Sequence, residues 1–581
     1  MTSDDYIRTY ITHEDITGSK ANYSDIIRIL SQLNIYEVIS LLSVIMPALT
    51  GADHNNISNN RLQKSLIDTL LPDYKDNIFA FVKQNKTDLL LFHRHQFLLF
   101  LKLSIESCPQ NNGLTRVTSA QGNSQFLTEF GKALFMVNDL FSQNSKIDDS
   151  LPSSQQPFQL ASMMIPIAEM SYGQQALPVI GRANEIWLNI PNKLQKSSNY
   201  VSFEKPFLEC TGVSLEYFIK FLTLLFVRSE SYSPHSIERS DPLIVNEDLF
   251  LTNTTSPKDI FKMCLAVISR DINDLSTLLF SKGHHSRIND MTILRMTPVI
   301  SIDKNHVIYD RGFLYQSFFD IIYWTINDHL SDPEKVNFRA FFGEIVEEYA
   351  YSILEHTSEQ YLKSKSQIVY KNPKFKDNAE VCDILLECND GEFLILIEVK
   401  ASILTTQAKY SGDPNILHKD VVDRFIGKPK SRKGISQLSD SINKLINGQP
   451  IVNYQIDIKK CRGIYPVIVT YDPSIMSPGI LGYLQSEFGK QIAMSDSLST
   501  PPVHSITVMS IDDIEAYSTF SKNLQFNHLL AQYRHFRTSN EIGINFYISN
   551  HLKKEIKDGN YLLENFRRSI ETIKSEFFDQ E

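Results

Sequence analysis

Apolar residues recur at helical spacing through most of the chain before residue 280, which predicts a largely helical N-terminal half. The apolar stretches that predict helices are 23–45, 61–71, 77–83, 87–106, 125–141, 215–227 and 257–279. The segment 143–156 is rich in Ser, Asn, Gln and Asp, which favours a linker. We therefore expect an α-helical domain over residues 1–150 and a second helical region over 151–295.

The pattern changes after residue 296, where short apolar runs alternate with turns. The runs 297–302 and 307–309 lie on either side of Asp303-Lys304-Asn305 and predict a hairpin. An aromatic-rich helix is expected over 313–330.

Two further apolar runs surround Asn389-Asp390-Gly391. An Asp-Gly pair between apolar runs favours a β-hairpin, because both central residues of its tight turn need a positive φ. If Asp390 and Gly391 form the loop, Asn389 pairs with Glu392. The same register then places Asp383 directly opposite Glu398.

This register brings charged side chains together. The Cβ atoms of Asp383 and Glu398 would lie about 5 Å apart and their carboxylates would repel. Strand alternation puts Lys400 on the same face, so two acids and one ammonium meet at the end of the hairpin. Carboxylates in an open arrangement are ligands of a hard cation such as Mg²⁺, and a nearby lysine can orient water or neutralise a phosphate.

An amphipathic helix is predicted over 337–354, with Asp332-Pro333 as its N-cap and first-turn proline. It carries three glutamates, Glu344, Glu347 and Glu348. Glu344 lies most nearly opposite the apolar face, and the helical angle alone slightly favours Glu348. Glu347 is flanked by a second apolar surface, so periodicity leaves three candidates for a third acid.

At Asp383, Glu398 and Lys400 the chain resembles the PD-(D/E)XK nuclease superfamily, the fold of many restriction endonucleases and Holliday-junction resolvases. Cys382 stands where the motif name has proline, a position that varies widely in the family. The resemblance covers roughly residues 331–515.

The resemblance implies an α+β and α/β mixed fold. A helical N-terminal region would precede a restriction-endonuclease-like α-β-β-β-α-β core with a central mixed sheet over residues 296–520, and helices would follow over 521–581. The family pattern Gly-x-x-x-Glu matches Gly343 and Glu347, which makes Glu347 the expected third acid. The missing side chain of Gly343 would let this helix lie close to the hairpin.

A local basic run follows the hairpin in a chain whose net charge is -10, which makes it a candidate for phosphate contacts. Its members are Lys428, Lys430, Arg432 and Lys433. A helix is predicted over 435–448, and its Gln437 matches a polar residue that many family members carry near the active site. The apolar runs 463–470 and 504–510 predict further strands.

Composition indicates an ordinary globular protein, with 42% hydrophobic and 21% charged residues. The start of the chain is acidic and polar and predicts no signal peptide. The apolar stretch 89–101 is interrupted by His93-Arg94-His95, which a bilayer core would penalise. The 6 cysteines form no Cys-x-x-Cys pair. We expect a cytoplasmic protein with no membrane partner.

For the site, the resemblance implies a metal-dependent nuclease. Asp383, Glu398, Glu347 and the Val399 carbonyl would hold Mg²⁺, or Mn²⁺ as a substitute, and Lys400 would position the attacking water. DNA is the expected substrate; the alternatives are an RNA-cleaving enzyme of the same fold and a non-catalytic nuclease-like interaction protein. The acidic net charge favours activation within a homo-oligomer or by a partner subunit. Large helical extensions are frequent in bacterial restriction and anti-phage systems, so the resemblance implies a role in defence.

Overall fold

In the computed structural model of the chain, the described residues are 10–50, 57–86, 89–110, 124–141, 151–152, 155–171, 176–232, 242–246, 258–281, 289–359, 366–428, 431–492, 501–537, 543–552 and 571. They form an α+β fold in which helices dominate and strands build two mixed sheets. The α+β part of the expected class is therefore confirmed. The predicted linker 143–156 lies largely outside the described residues.

Helices make up most of the described chain before residue 290. Their bounds are His13–Thr17, Tyr23–Leu30, Ile35–Thr50, Ile57–Leu70, Lys75–Asn85, Arg94–Ser107, Ser124–Phe141, Gln156–Ser171, Ala176–Asn184, Ile190–Lys193, Glu204–Thr211, Leu215–Ser231, Lys258–Ile268 and Ile272–Ser281. A π-helical turn, Glu185–Asn189, joins two of them.

Two helices differ from the predicted stretches because side chains bind the backbone. The stretch 23–45 breaks after Leu30, where the Asn34 side chain accepts the N–H of Tyr36 at 3.1 Å and a new helix begins. The stretch 87–106 becomes helical only at Arg94, because the Gln63 side chain holds the extended backbone before it.

The strands of the first sheet are β1 (Ile244–Asn246), β2 (Ser269–Arg270), β3 (Val299–Ile302) and β4 (Asn305–Ile308). Their order across the sheet is β1-β4-β3-β2. β3 and β4 form the hairpin that the sequence predicts around Asp303, whose φ is 54°. β2 runs parallel to β3, which makes this a mixed sheet.

The strands of the second sheet are β5 (Gln367–Lys371), β6 (Ile384–Cys388), β7 (Phe393–Lys400), β10 (Gly463–Thr470) and β11 (Thr507–Ser510). Their order across the sheet is β11-β10-β7-β6-β5. β5, β6 and β7 pair antiparallel, whereas β10 pairs parallel with β7 and with β11. β8 (Gly427–Lys428) and β9 (Ser431–Arg432) form a separate two-stranded ribbon.

The helices of the second half are Thr292–Met296, Arg311–Gln316, Asp320–His329, Asp332–Glu359, Thr406–Tyr410, Pro414–Val421, Ile435–Ile446, Pro478–Gln491, Ile511–Phe520, Phe526–Phe536 and Ile544–Tyr547. We call Asp332–Glu359 the long helix and Ile435–Ile446 the crossover helix. The long helix packs against β5 and β7, and the crossover helix lies in the connection that parallel strands β7 and β10 require.

The start of the long helix differs from the prediction. Ser331, rather than Asp332, occupies the cap position, since the Glu334 side chain accepts both the Ser331 N–H at 3.0 Å and its hydroxyl at 2.5 Å. The single helix expected over 313–330 is also divided, into Arg311–Gln316 and Asp320–His329.

The buried apolar residues form two clusters. One contains the helices between residues 11 and 140 together with parts of 272–313. The other joins the helices between 158 and 268 to the second sheet and to the C-terminal helices. The second helical region therefore shares its buried residues with both neighbours.

A buried ion-pair network fixes the chain just after β7. The Lys409 ammonium lies 2.6 Å from the Glu169 carboxylate and 3.1 Å from that of Asp472, which follows β10. Asp472 also accepts the N–H of Leu404 at 2.8 Å. The helix Gln156–Ser171 is thereby tied to the carboxyl ends of β7 and β10.

Across the described ranges, no single helix is long and apolar enough to cross a membrane. Two helix pairs reach that length only in combination, with bends of 105° and 70°.

Candidate active site at the end of the central hairpin

The register of the hairpin agrees with the prediction from its turn. Asp390 and Gly391 have φ values of 53° and 89°, and the N–H of Glu392 donates to the carbonyl of Asn389 at 3.2 Å. Ile384 pairs with Ile397, so the next position places Asp383 opposite Glu398.

Asp383 is held by the backbone of both neighbouring strands. Its Oδ2 accepts the N–H of Val399 at 2.6 Å, and its carbonyl accepts the N–H of Asn372 at 3.0 Å. The residue is 8% exposed, and burial raises the pKa of its carboxyl above the ordinary value. Asp383 is therefore fixed in position with its second carboxylate oxygen available for other contacts.

Glu398 and Lys400 form an ion pair on the same face. Lys400 Nζ lies 2.6 Å from Glu398 Oε1; the Glu398 side chain is buried and the Lys400 side chain is half-buried. Burial and then the charge of Asp383 raise the pKa of Glu398 to about 7. Burial alone would lower the pKa of Lys400, but the Glu398 and Asp383 carboxylates outweigh it and raise that pKa.

Glu347 is the glutamate of the long helix that interacts with this group. Burial raises its pKa to about 8, and the negative charges of Asp383, Glu398 and Glu380 add to the shift while Lys400 opposes it. The structure thus brings Glu347 into the electrostatic neighbourhood of the hairpin acids.

The other two glutamates of the helix have different partners. Glu348 forms an ion pair with Lys371 on β5. Glu344 accepts hydrogen bonds from Ser197 Oγ at 2.5 Å and from Asn199 Nδ2 at 2.6 Å, so it faces the helical N-terminal half rather than solvent. Periodicity missed this because the covering segment lies almost 150 residues away in sequence.

The prediction that Gly343 lets the long helix approach the hairpin was wrong. A Cβ at Gly343 would meet nothing within 4 Å, so its missing side chain does not bring the helix to the hairpin. Apolar packing of the helix against β5 and β7 does so instead.

Glu380 is a fourth acid that the sequence analysis did not identify. It pairs across a short hairpin with Lys374, in the connection between β5 and β6. Burial and then the charge of Asp383 raise the pKa of Glu380, while Lys374 and Lys400 oppose the shift. The residue lies outside the regular strands, and no periodic pattern indicates its position.

The chemistry of this group fits a hard cation. The carboxyl groups of Asp383, Glu398, Glu347 and Glu380 share Lys400 as an opposing charge, and repulsion by neighbouring carboxylates adds to the raised pKa values of the three glutamates. Within the described ranges, no three Asp, Glu, His or Cys side chains are arranged to hold a metal ion by themselves. A cation such as Mg²⁺ binds through only one or two carboxylates and keeps several waters, so the donor set is suitable.

Gln437 and Arg432 have partners within or next to the crossover helix. Gln437 is exposed and its Oε1 accepts the N–H of Gly434 at 2.8 Å, capping its own helix. Arg432 forms an ion pair with Asp440 on the crossover helix, and Lys433 is exposed. Lys430 lies outside the described residues, as does the side chain of Lys428.

Comparison with protein-family models, with curated proteins and with solved structures finds no match.

Proposed function

We propose that this protein is a metal-dependent nuclease of the PD-(D/E)XK type, and that DNA is its substrate. The observation that carries the proposal is the group formed by Asp383, Glu398, Lys400 and Glu347. It combines acids from two paired strands and one helix with a single half-buried ammonium.

The order of elements supports the same class. The long helix is followed by β5, β6 and β7, then by the crossover helix and β10, which is an α-β-β-β-α-β order. The sheet they form is mixed, with an antiparallel hairpin beside parallel strands. The candidate site lies where β7 ends, beside the carboxyl end of β10.

In this proposal Asp383 and Glu398 hold Mg²⁺ or Mn²⁺, with the Val399 carbonyl and Glu347 as further oxygen ligands. The bound metal supplies Lewis acidity and neutralises charge at the phosphate. Lys400 positions the attacking water and stabilises the charge that develops on the phosphate in the transition state. Its pairing with Glu398 fixes the ammonium in place before substrate binds.

The hydrogen bond from Val399 to Asp383 has a mechanistic consequence. It fixes one oxygen of Asp383 on the β7 backbone, so the other oxygen needs no rearrangement to meet a ligand. The network of Lys409, Glu169 and Asp472 holds the segment that follows Lys400. A rigid support of this kind is what a preorganised site requires.

A cleavage assay with purified protein tests the proposal. Supercoiled plasmid and single-stranded RNA are incubated separately with Mg²⁺, with Mn²⁺, or with a chelator. We expect the plasmid to be nicked and linearised only in the presence of the metal. Cleavage of RNA alone would replace DNA by RNA as the substrate, and no metal-dependent cleavage of either polymer would overturn the proposal.

A further inference from the structure

A basic and aromatic surface lies at the other end of the parallel strands, away from the candidate active site. The helix Phe526–Phe536 supplies Arg534, and Arg537 follows directly after it. The segment that enters β11 supplies His504 and Ser505, and β10 supplies Tyr465. We call these five residues the distal basic surface.

Direct contacts hold the distal basic surface together. Arg534 bonds to the His504 ring, and Arg537 Nη2 donates to Ser505 Oγ at 3.2 Å. The Tyr465 and His504 rings lie 4.1 Å apart between centroids, with an interplanar angle of 36°. The arrangement therefore joins residues from three separate segments of the chain.

Gly463 is required for this arrangement. A Cβ at that position would lie 3.0 Å from His504 Nε2 and 3.3 Å from the Phe393 ring. The missing side chain leaves the space that the imidazole occupies.

The surface carries positive charge. Among the described residues, no Asp or Glu forms an ion pair with Arg534, which contacts the His504 ring instead. Burial and then the Arg534 charge lower the pKa of His504 to about 4, so its ring is neutral at pH 7 and offers a hydrogen bond. Nearby, Arg462 forms an ion pair with Glu392 at 3.2 Å, so this pair does not change the net charge of the surface. In a chain with a net charge of -10, such a region attracts anions.

The chemistry is that of phosphate recognition. Arg534 lies in the last turn of the helix and Arg537 is its C-cap residue, so the two arginines are about one helical turn apart along the chain. Planar guanidinium groups match phosphate oxygens in pairs, and a hydroxyl and an imidazole add further hydrogen bonds. The Tyr465 and His504 rings add a surface on which a base can stack.

The strand register gives the distance from the candidate site. Tyr465 pairs with Ile395, and Lys400 pairs with Thr470 at the other end of the same ladder. Five residues of strand separate Ile395 from Lys400, which corresponds to about 17 Å. A nucleic-acid strand has one phosphate per roughly 3.4 Å, so this span equals about five nucleotides.

We propose that the distal basic surface binds the phosphodiester backbone of a nucleic acid about five nucleotides from the bond at Lys400. The spacing rests on the proposed nuclease function, whereas the binding itself does not. The distance between the distal basic surface and the candidate active site favours a polymer over a free phosphate ion, because one nucleic-acid strand can contact both.

The test measures binding without cleavage. Fluorescence anisotropy is recorded in a chelator with labelled single-stranded DNA of 4 and of 20 nucleotides, for the wild type and for the double variant Arg534→Gln with Arg537→Gln. The matched control is Arg28→Gln, an exposed arginine on the N-terminal helix Tyr23–Leu30. Thermal midpoints show that each variant is folded.

The double variant should bind the 20-mer about tenfold or more weakly, because two charge-assisted contacts are lost. The slope of log affinity against log salt should fall by roughly 1.4, since each single-strand phosphate contact contributes about 0.7. The wild type should bind the 4-mer more weakly than the 20-mer, because the 4-mer cannot span both places, and all affinities of Arg28→Gln should stay at the wild-type value.

An unchanged affinity and salt slope of the double variant for the 20-mer would overturn the inference, and equal wild-type affinities for the two lengths would overturn the spacing. The cleavage and binding results distinguish a failure of the nuclease proposal from a failure of the surface proposal. If the wild type cleaves nothing but the double variant loses 20-mer binding, the nuclease proposal falls and the surface stands. If the wild type cleaves and the double variant binds normally, only the surface falls.

Discussion

Replacing Glu347 by glutamine should stabilise the metal-free protein, and it should do so at alkaline rather than acidic pH. Glu347 is half-buried and interacts with the charges of Asp383, Glu398 and Glu380, with Lys400 as the opposing charge. Ionising Glu347 adds a further negative charge to this cluster of acidic side chains. Glutamine keeps the shape of the side chain and removes this cost.

The sign and size follow from the pKa. The pKa of Glu347 rises from 4.5 to about 8 on folding. Between these values the folded protein holds a proton that the unfolded chain releases, so stability falls as pH rises through that window. Above pH 8 the full penalty is about 4–5 kcal/mol, at roughly 1.4 kcal/mol for each pKa unit. Glu347 is only half-buried, so solvent screens part of this repulsion and we expect a net gain of about 2–4 kcal/mol.

Urea denaturation at pH 5 and pH 9 in a chelator measures this gain. Glu347→Gln should raise the free energy of unfolding at pH 9 and change it little at pH 5. The matched control is Glu348→Gln, the neighbouring residue, which should lose stability at pH 9 because Lys371 loses its carboxylate partner. An equal effect of Glu347→Gln at both pH values, or no gain at pH 9, would refute the placing of Glu347 in the acidic group.

Three further predictions concern metal, catalysis and substrate binding. Mg²⁺ should raise the thermal midpoint of the wild type but not of Glu398→Ala, as differential scanning fluorimetry would show; an equal rise in both would contradict a cation site at Glu398. Lys400→Ala should lower the cleavage rate by several orders of magnitude with little change in substrate affinity, and Lys400→Arg should not restore it; a parallel loss of rate and affinity would make Lys400 a phosphate anchor only. Lys433→Ala should lower the slope of log affinity against log salt by roughly 0.9 on duplex DNA, whereas Arg432→Ala should change it less because Asp440 already offsets its charge; a larger effect for Arg432→Ala would contradict the importance of that pair.

The sequence alone predicted the central hairpin because its determinants are local. The Asp390-Gly391 turn sets the loop length, and the loop length sets the register of Asp383 against Glu398. The pairing of Lys400 with Glu398 follows from strand alternation alone. These parts of the candidate site required no knowledge of distant residues.

The remaining features depend on contacts between distant parts of the chain. Glu344 was expected to face solvent, but Ser197 and Asn199 cover it. β5 was not identified individually, because its residues form an ordinary edge strand without a distinctive turn. Glu380 lies in an irregular connection, where no periodicity indicates direction. Tertiary packing decides such positions.

The most direct measurement compares cleavage by the wild type and by Asp383→Ala at saturating Mg²⁺, under single-turnover conditions. The control is Asp377→Ala, which changes an exposed aspartate of the same β5–β6 connection that pairs with Lys444. We predict that Asp383→Ala cleaves at the background rate and has an unchanged or slightly raised thermal midpoint in the absence of metal, while Asp377→Ala cleaves like the wild type. Cleavage by Asp383→Ala at the wild-type rate would contradict the assignment of the active site.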